Sequence, residues 1–417
     1  MKLTIHRGTH EIGGSIVEIA TSSSRLIIDA GLPLGGLNAP APSPAVMDKI
    51  LARVFATPPR PAAILLSHAH GDHSGLLAQT PEAVPVFLSR GTAKMMRAGA
   101  LFARQPDVPS HRQRLLTPLT PTVIGDFTVT GFPVDHSAFG SMAFLVEAEG
   151  QRLLYSGDLR CHGRKPGMAQ QLIRALRHRS LNALVMEGTH FSPDRAPGLT
   201  EAALERHIRA VIARAPALVL AAFSPLHADR LVTFFKATRD AGRVLVLDVY
   251  GAQVMLELSR MIRMPDPRRC RQVRVYFPKR RRRQAAIEEQ FAACRITLEE
   301  VRSAPDRFVM LFRPSMLNPD FGGELPAKTC GLYSYWSGYL KKPDWIEAQA
   351  QFAKAGGEFI QCHTSGHIHA ADIVRFVGAL QPKRVIPIHT ETPAAFSRYF
   401  NQACLVQDGQ TLDFVDE

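Results

Sequence analysis

Short apolar runs succeed one another along the first part of the chain, each closed by Gly, Pro, Asp or Ser. The runs SIVEIA, RLIIDAG, AAILLSH, VPVFLS, FTVTGFPV, MAFLVEA and RLLYSGD have the β-branched or aromatic character and the turn residues of strands. Between some of them apolar residues recur at helical spacing, as in TAKMMRAGALFA and AQQLIRALRH. Near residue 197 the texture changes. GLTEAALERHIRAVIARA opens on a Thr N-cap signal and runs as a helix, and ALVLAAF, RVLVLDV and VRVYF then alternate with helices at the spacing of parallel βαβ units. Past residue 352 the first texture resumes with GEFIQCHTS, a helix from His369 to about Leu380, RVIPIHT and a helix from Pro393. The pattern therefore predicts an α/β protein in which residues 1–196 and 353–417 form one domain and residues 197–352 are an α/β insertion.

Composition bounds the function classes. Apolar residues make up 46% of the 417 positions and charged ones 21%, as in an ordinary folded protein. No run approaches the roughly 18 apolar residues that a membrane span needs, and MKLTIHRGTHEIGG has no continuous apolar segment of the export type. We expect a cytoplasmic protein with no membrane partner. The six cysteines are scattered without CxxC pairs, which predicts reduced structural thiols and not a thiolate zinc site.

Charge changes the picture further. The formal net charge is +13, and residues 201–355 contribute 26 Lys/Arg against 16 Asp/Glu. Ten basic residues fall between Arg263 and Arg283, with Asp266 the only acid among them. Such a stripe suits a polyanion, above all a nucleic acid, although a solvated basic face of no particular purpose has the same composition.

The densest chemistry is SHAHGDH. His68 and His70 alternate with small residues, so both imidazoles can point to one side, while Gly71 lets the chain bend and turn Asp72 and His73 towards a second point nearby. Imidazole and carboxylate suit a borderline cation such as Zn²⁺, and water held between two such ions is acidic enough to supply hydroxide near neutral pH. His136 in PVDHSAFGS, Asp158 in LLYSGDLR and His389 in RVIPIHTE each end or follow an apolar strand, where polar side chains gather around a site.

The ordered set HEIGGS, LIIDAG, HAHGDH, DHSAFGS, YSGDLR and IPIHTE resembles the metallo-β-lactamase fold, and VMEGTH, TSGHIH and PIHTE are similar to motifs A, B and C of its β-CASP subgroup, the RNase J and cleavage-factor nucleases. The resemblance implies an αββα sandwich carrying an inserted α/β β-CASP domain. It implies that His68, His70 and His136 bind one zinc, that Asp72, His73 and His389 bind another, and that Asp158 bridges them, with Mn²⁺ also compatible with these ligands. Asp29 would order the metal loop. Asp72, Glu187 and His367 would be the catalytic residues, with the histidine donating a proton to the leaving oxygen. His363 and His369 compete with His367, which is preferred because it follows Ser365-Gly366 as the motif requires. By the same resemblance Ser224, Ser337, Tyr339 and Ser365 would line a substrate path.

The function so implied is metal-dependent hydrolysis of RNA, or of single-stranded DNA, with nucleic acid as the partner and the oligomeric state open, a homodimer included. A small-molecule hydrolase of the glyoxalase II or lactonase kind and a non-catalytic nucleic-acid-binding protein are the competing readings. Endonuclease and 5′-exonuclease action are both compatible with the motifs.

Overall fold

Strands with apolar residues at every position must be covered on both faces, and Ala63–Leu65 and Val385–Ile388 in the first region are buried throughout. The computed structural model describes residues 1–35, 42–192, 198–279 and 284–414. Its chain divides into two units, residues 1–197 with 366–417, and residues 198–365.

The first unit contains two sheets. One runs in the order Thr411–Asp413, Lys2–Arg7, Ile16–Ala20, Arg25–Ile28, Ala63–Leu65, Val86–Leu88, Gln113–Leu115. Its neighbours are antiparallel up to Arg25–Ile28 and parallel beyond. The other runs Val385–Ile388, Ala183–Glu187, Gln151–Tyr155, Met142–Ala148, Phe127–Pro133, Thr122–Ile124. Alternate residues of each strand serve different cores. Phe144, Val146, Leu153, Tyr155, Val185 and Ile386 pack with Leu3, Ile5, Val17, Ile19, Leu26 and Ile28 between the sheets. Leu145, Leu154, Leu184, Met186 and Val385 face outward, onto Leu172 and Leu176 of the helix Gly167–Leu176 and onto Ile373, Phe376 and Val377 of the helix Ala370–Leu380. Each such side chain contributes about 1.5–3 kcal/mol by leaving water. The result is the αββα sandwich expected.

Buried Arg25 joins the helix Pro44–Ala56 to the first sheet, donating from Nη2 to the Val54 carbonyl at 2.7 Å and from Nε to Glu18 at 2.9 Å. Five strands of the first unit, Lys2–Arg7, Gln113–Leu115, Thr122–Ile124, Ala183–Glu187 and Thr411–Asp413, are additional to those the pattern predicts, and the helix expected from Pro393 is a 3₁₀ helix, Pro393–Arg398.

The second unit is a seven-stranded sheet in the order Arg295–Ile296, Val273–Tyr276, Val244–Asp248, Phe308–Leu311, Val219–Ala222, Cys330–Tyr333, Phe359–Gln361. Every pairing is parallel, as the βαβ spacing predicts. This unit runs past residue 352, the boundary read from the sequence, because Phe359–Gln361 pairs with Cys330–Tyr333 as an edge strand. One buried cluster of charge is closely engaged. Arg230, inaccessible to solvent, donates to Glu201 at 3.0 Å, the Ser334 carbonyl at 3.2 Å and the Thr364 carbonyl at 3.2 Å, and Thr233 donates to Glu201 at 2.7 Å. Of the basic stripe, Arg280–Arg283 lie outside the described residues.

Candidate metal centre

The polar residues of the first unit collect where its strands end. The strand Ala63–Leu65 runs into Ser67 and the turn His68-Ala69-His70, after which Gly71–Ser74 forms one helical turn that carries Asp72 and His73. Only glycine fits beneath that turn at position 31, since a Cβ there would lie 1.8 Å from the Asp72 carbonyl oxygen. Gln151–Tyr155 delivers Asp158, Ala183–Glu187 delivers Glu187, and Val385–Ile388 delivers His389.

Three groups result, within each of which one nitrogen or oxygen atom per residue lies within 4.8 Å of the others: His68, His70 and His136; Asp72, His73, Asp158 and His389; and Asp158, Glu187, His367 and His389, the last two sharing Asp158 and His389. Asp158 Oδ2 is the point of convergence. It lies 3.2 Å from His73 Nε2, 3.7 Å from His68 Nε2, 3.8 Å from His136 Nε2, 3.7 Å from His367 Nδ1 and 3.8 Å from His389 Nε2. Among the described residues, that oxygen and the Nε2 atoms of His68 and His73 are buried without a hydrogen-bond partner. Groups of this kind are costly to bury unless something else engages them.

The surroundings fix the direction of each ligand atom. Asp29 adopts a left-handed backbone (φ 62°) and takes four hydrogen bonds: from Ser67 N and Ser67 Oγ at 2.8 Å each, from Tyr155 at 2.9 Å, and from His73 Nδ1 at 2.7 Å. The last of these leaves His73 Nε2 facing the site, as an outer carboxylate does for a metal-binding histidine. His136 Nδ1 donates to the Gly366 carbonyl at 2.6 Å, and His389 Nδ1 meets Thr189 Oγ1 at 2.8 Å.

Burial, reinforced by neighbouring imidazoles, holds His68 and His136 well below the usual histidine range, so both are neutral. Burial opposes ionisation of Asp158, but His389 and His73 outweigh it and hold the carboxyl well below the usual range. Burial lowers the His73 pKa, but the carboxylates of Asp158 and Asp29 push it well above the usual range, so a cation there would displace its proton. The neutral imidazoles of His68 and His136 and the ionised carboxylate of Asp158, converging on one another, are donors that suit a divalent cation. The residues present therefore fit metal.

Beside this set, Glu187 accepts from Leu159 N at 3.0 Å, and both its oxygens lie 3.2–3.3 Å from His367 Nδ1. Burial lowers the pKa of His367, but the carboxylates of Glu187 and Asp158 override it and push the imidazole up to about 9. Its two competitors lie elsewhere. His363 Nδ1 is 3.2 Å from the Ser334 carbonyl oxygen, and His369 stacks on His162 with centroids 4.1 Å apart. Ser224, Ser337, Tyr339 and Ser365 all belong to the second unit. Ser337 and Tyr339 share the 3₁₀ turn Ser337–Lys341, where Tyr339 is 40% exposed.

Comparison with known proteins agrees with this geometry. Residues 24–233 match the profile of the Beta-lactamase superfamily domain, just over half of the chain. The chain belongs to that superfamily. Residues 357–403, which include His367 and His389, match the Zn-dependent metallo-hydrolase RNA specificity domain. The superfamily member is also similar to Ribonuclease J of Helicobacter pylori strains 26695 and B128, at 23% identity over 38% of this chain. That match spans 23% of the length of those relatives. These matches agree with the family resemblance that the sequence motifs carry. A crystal structure of a protein of unknown function from Enterococcus faecalis V583 shares the fold, with a TM-score of 0.81, 20% identity and 99% of each chain covered.

Ser67, Tyr155 and Thr189 do not stand out in the sequence, although Ser67 and Thr189 hydrogen-bond His68 and His389 and Tyr155 hydrogen-bonds Asp29. Their only signal is adjacency, Ser67 preceding His68 and Tyr155 and Thr189 standing in the motif segments LLYSGD and VMEGTH.

Proposed function

We propose that this chain is a metal-dependent phosphodiesterase that hydrolyses RNA, with two zinc ions as its cofactor and Mn²⁺ as an acceptable substitute. The observation that carries the reading is the convergence of buried imidazoles on the unsatisfied Oδ2 of Asp158. His68, His70 and His136 would hold one cation, Asp72, His73 and His389 the other, and Asp158 both. Bound there, the cations would supply Lewis acidity at a non-bridging phosphate oxygen and a water of lowered pKa.

The remaining work falls to side chains of the protein. Asp29 keeps His73 in one tautomer, and Thr189 orients His389. Glu187 holds the His367 imidazolium in place through Nδ1, and the proton on its other ring nitrogen, Nε2, goes to the departing oxygen of the cleaved ester. Asp72, paired with His389 at 3.2 Å, stays ionised and orients the attacking water. Ser224, Ser337, Tyr339 and Ser365 would contact substrate phosphates.

RNA as substrate is supported by the RNA specificity domain match, by the ribonuclease J similarity and by the excess of basic residues in 201–355. The test is digestion of end-labelled RNA and DNA of matched sequence by the metal-loaded protein, beside His367→Ala. Cleavage of RNA that the substitution slows by about 10²–10⁴-fold is expected. No cleavage of either strand, or hydrolysis of a thioester or lactone in its place, would overturn the proposal. The product ladder also separates endonucleolytic from 5′-exonucleolytic action.

A further inference from the structure

The basic stripe of the second unit is unused by the metal centre, and part of it borders a cavity. Parallel sheets place ligands outside the carboxyl ends of their strands. Beyond Ile296 and Tyr276, the last residues of the edge strand and of its neighbour, lies a cavity of about 510 Å³. Phe277, Lys279, Arg295 and Arg302 line it, with Glu299 and Asp320. Every lining residue belongs to the second unit, and every proposed metal ligand to the first.

The cavity's cations and Asp320 are differently committed, while Glu299, its other acid, is exposed. Asp320 is spent on its own wall, accepting from Tyr276 Oη at 2.6 Å and from Lys279 N at 2.9 Å. Lys279, Arg295 and Arg302 are exposed and form no ion pair among the described residues. The Arg295 guanidinium lies 4.9 Å above the Phe277 ring, and Arg302 is steadied by donating to the Phe321 carbonyl at 3.0 Å. A planar cation on a half-buried ring is a surface on which a nucleobase stacks, and Arg302 and Lys279 stand beside it to take the flanking phosphates.

We propose that this cavity is an accessory RNA site: a single-stranded segment stacks one base on the Arg295–Phe277 platform and sets its phosphates against Lys279 and Arg302. The site would hold a strand on the second unit whatever the metal centre does, and its ligand rests on the reading of RNA as substrate. The measurement is fluorescence anisotropy of a labelled 2′-O-methyl 16-mer, which resists hydrolysis, on the metal-loaded full chain across a salt series.

For Arg295→Glu/Arg302→Glu the expected results are affinity weakened about tenfold or more and a shallower dependence of log Kd on log salt, by about one to one and a half. Phe277→Ala should weaken binding with no change in that slope, which a purely electrostatic surface would not do. Arg209→Glu, an exposed charge reversal on the helix Glu201–Arg214, is the control for net charge. Three outcomes overturn the inference: equal weakening by Arg209→Glu, which means a diffuse positive field; displacement of the strand by millimolar AMP or by polyglutamate of equal charge, which means a mononucleotide or acidic-protein site; or unchanged affinity in variants that melt like the parent. A protein that binds through this cavity but cleaves nothing would overturn the nuclease proposal and leave the accessory site standing.

Discussion

Each unit of this protein buries a cluster of charge, and the two clusters are built on opposite terms. In the second unit the Arg230 guanidinium finds Glu201, two carbonyl groups and a hydroxyl, and Glu201 also takes the Thr233 hydroxyl. In the first unit, Asp158 Oδ2 and the Nε2 atoms of His68 and His73 face one another with no hydrogen bond among the described residues. The satisfied cluster braces helix, strand end and loop. The unsatisfied one is ordered by an outer set of partners, Asp29, Thr189 and the Gly366 carbonyl, and its inner atoms carry the lone pairs that a cation takes. What separates structural from chemical burial of charge is therefore whether the partners close the network from within.

Substitutions can sharpen or break that comparison. The largest effect is expected for Asp158→Ala, which removes the convergence point. RNA cleavage should fall by about 10⁴-fold, some 5.5 kcal/mol of transition-state stabilisation, in a protein that melts close to the parent in the absence of metal. A residual rate within tenfold of the parent would contradict the role given to it. Next comes Arg230→Met in the second unit, where the buried Glu201 charge would lose its partner at a cost of about 3–5 kcal/mol of stability. Adding Glu201→Gln should restore part of the loss, read by denaturant unfolding, and if the single substitution proves neutral the bracing role is wrong.

A smaller effect belongs to the outer partners. Asp29→Asn keeps the shape but loses the carboxylate that orients His73, so metal affinity should drop about 10–100-fold by competition against a chelator. Unchanged affinity would show that Ser67 and Tyr155 hold the loop without it. The smallest concerns Glu18, away from both clusters. Burial opposes its ionisation, yet hydrogen bonds from His6 and Arg25 hold its pKa down to about 2 against an ordinary 4.5. A depressed carboxyl stabilises the fold fully above its unfolded pKa and loses that contribution as pH falls through the folded one. Acid unfolding between pH 4.5 and 2 should thus contain about 1–2 kcal/mol that Glu18→Gln abolishes, and an identical pH dependence in the variant would exclude it.

Much of the fold and of the candidate centre is legible in the amino-acid sequence. The proposed ligands His68, His70, Asp72, His73, His136, Asp158 and His389 stand in segments that close apolar strands, so residue type and strand end together point to one centre. The parallel sheet of the second unit follows from its alternating helices and strands. The return point does not. Phe359–Gln361 carries two apolar residues and belongs to the second unit through a backbone ladder with Cys330–Tyr333, which local composition cannot express. Ser67, Tyr155 and Thr189 escape notice for a related reason, because a hydroxyl near a motif is usually a turn or cap, and only three-dimensional contact shows which one orients a ligand. Choosing His367 over His363 and His369 likewise rests on motif order in the sequence, whereas in the structure only His367 lies against Glu187.

The central claim is tested most directly by the metal content of the purified chain after zinc loading and exhaustive dialysis, measured by mass spectrometry for the parent and for Asp158→Ala. The account predicts about two zinc ions per chain in the parent and one or fewer in the variant. A parent that retains none, or a variant that retains as many as the parent, would contradict it.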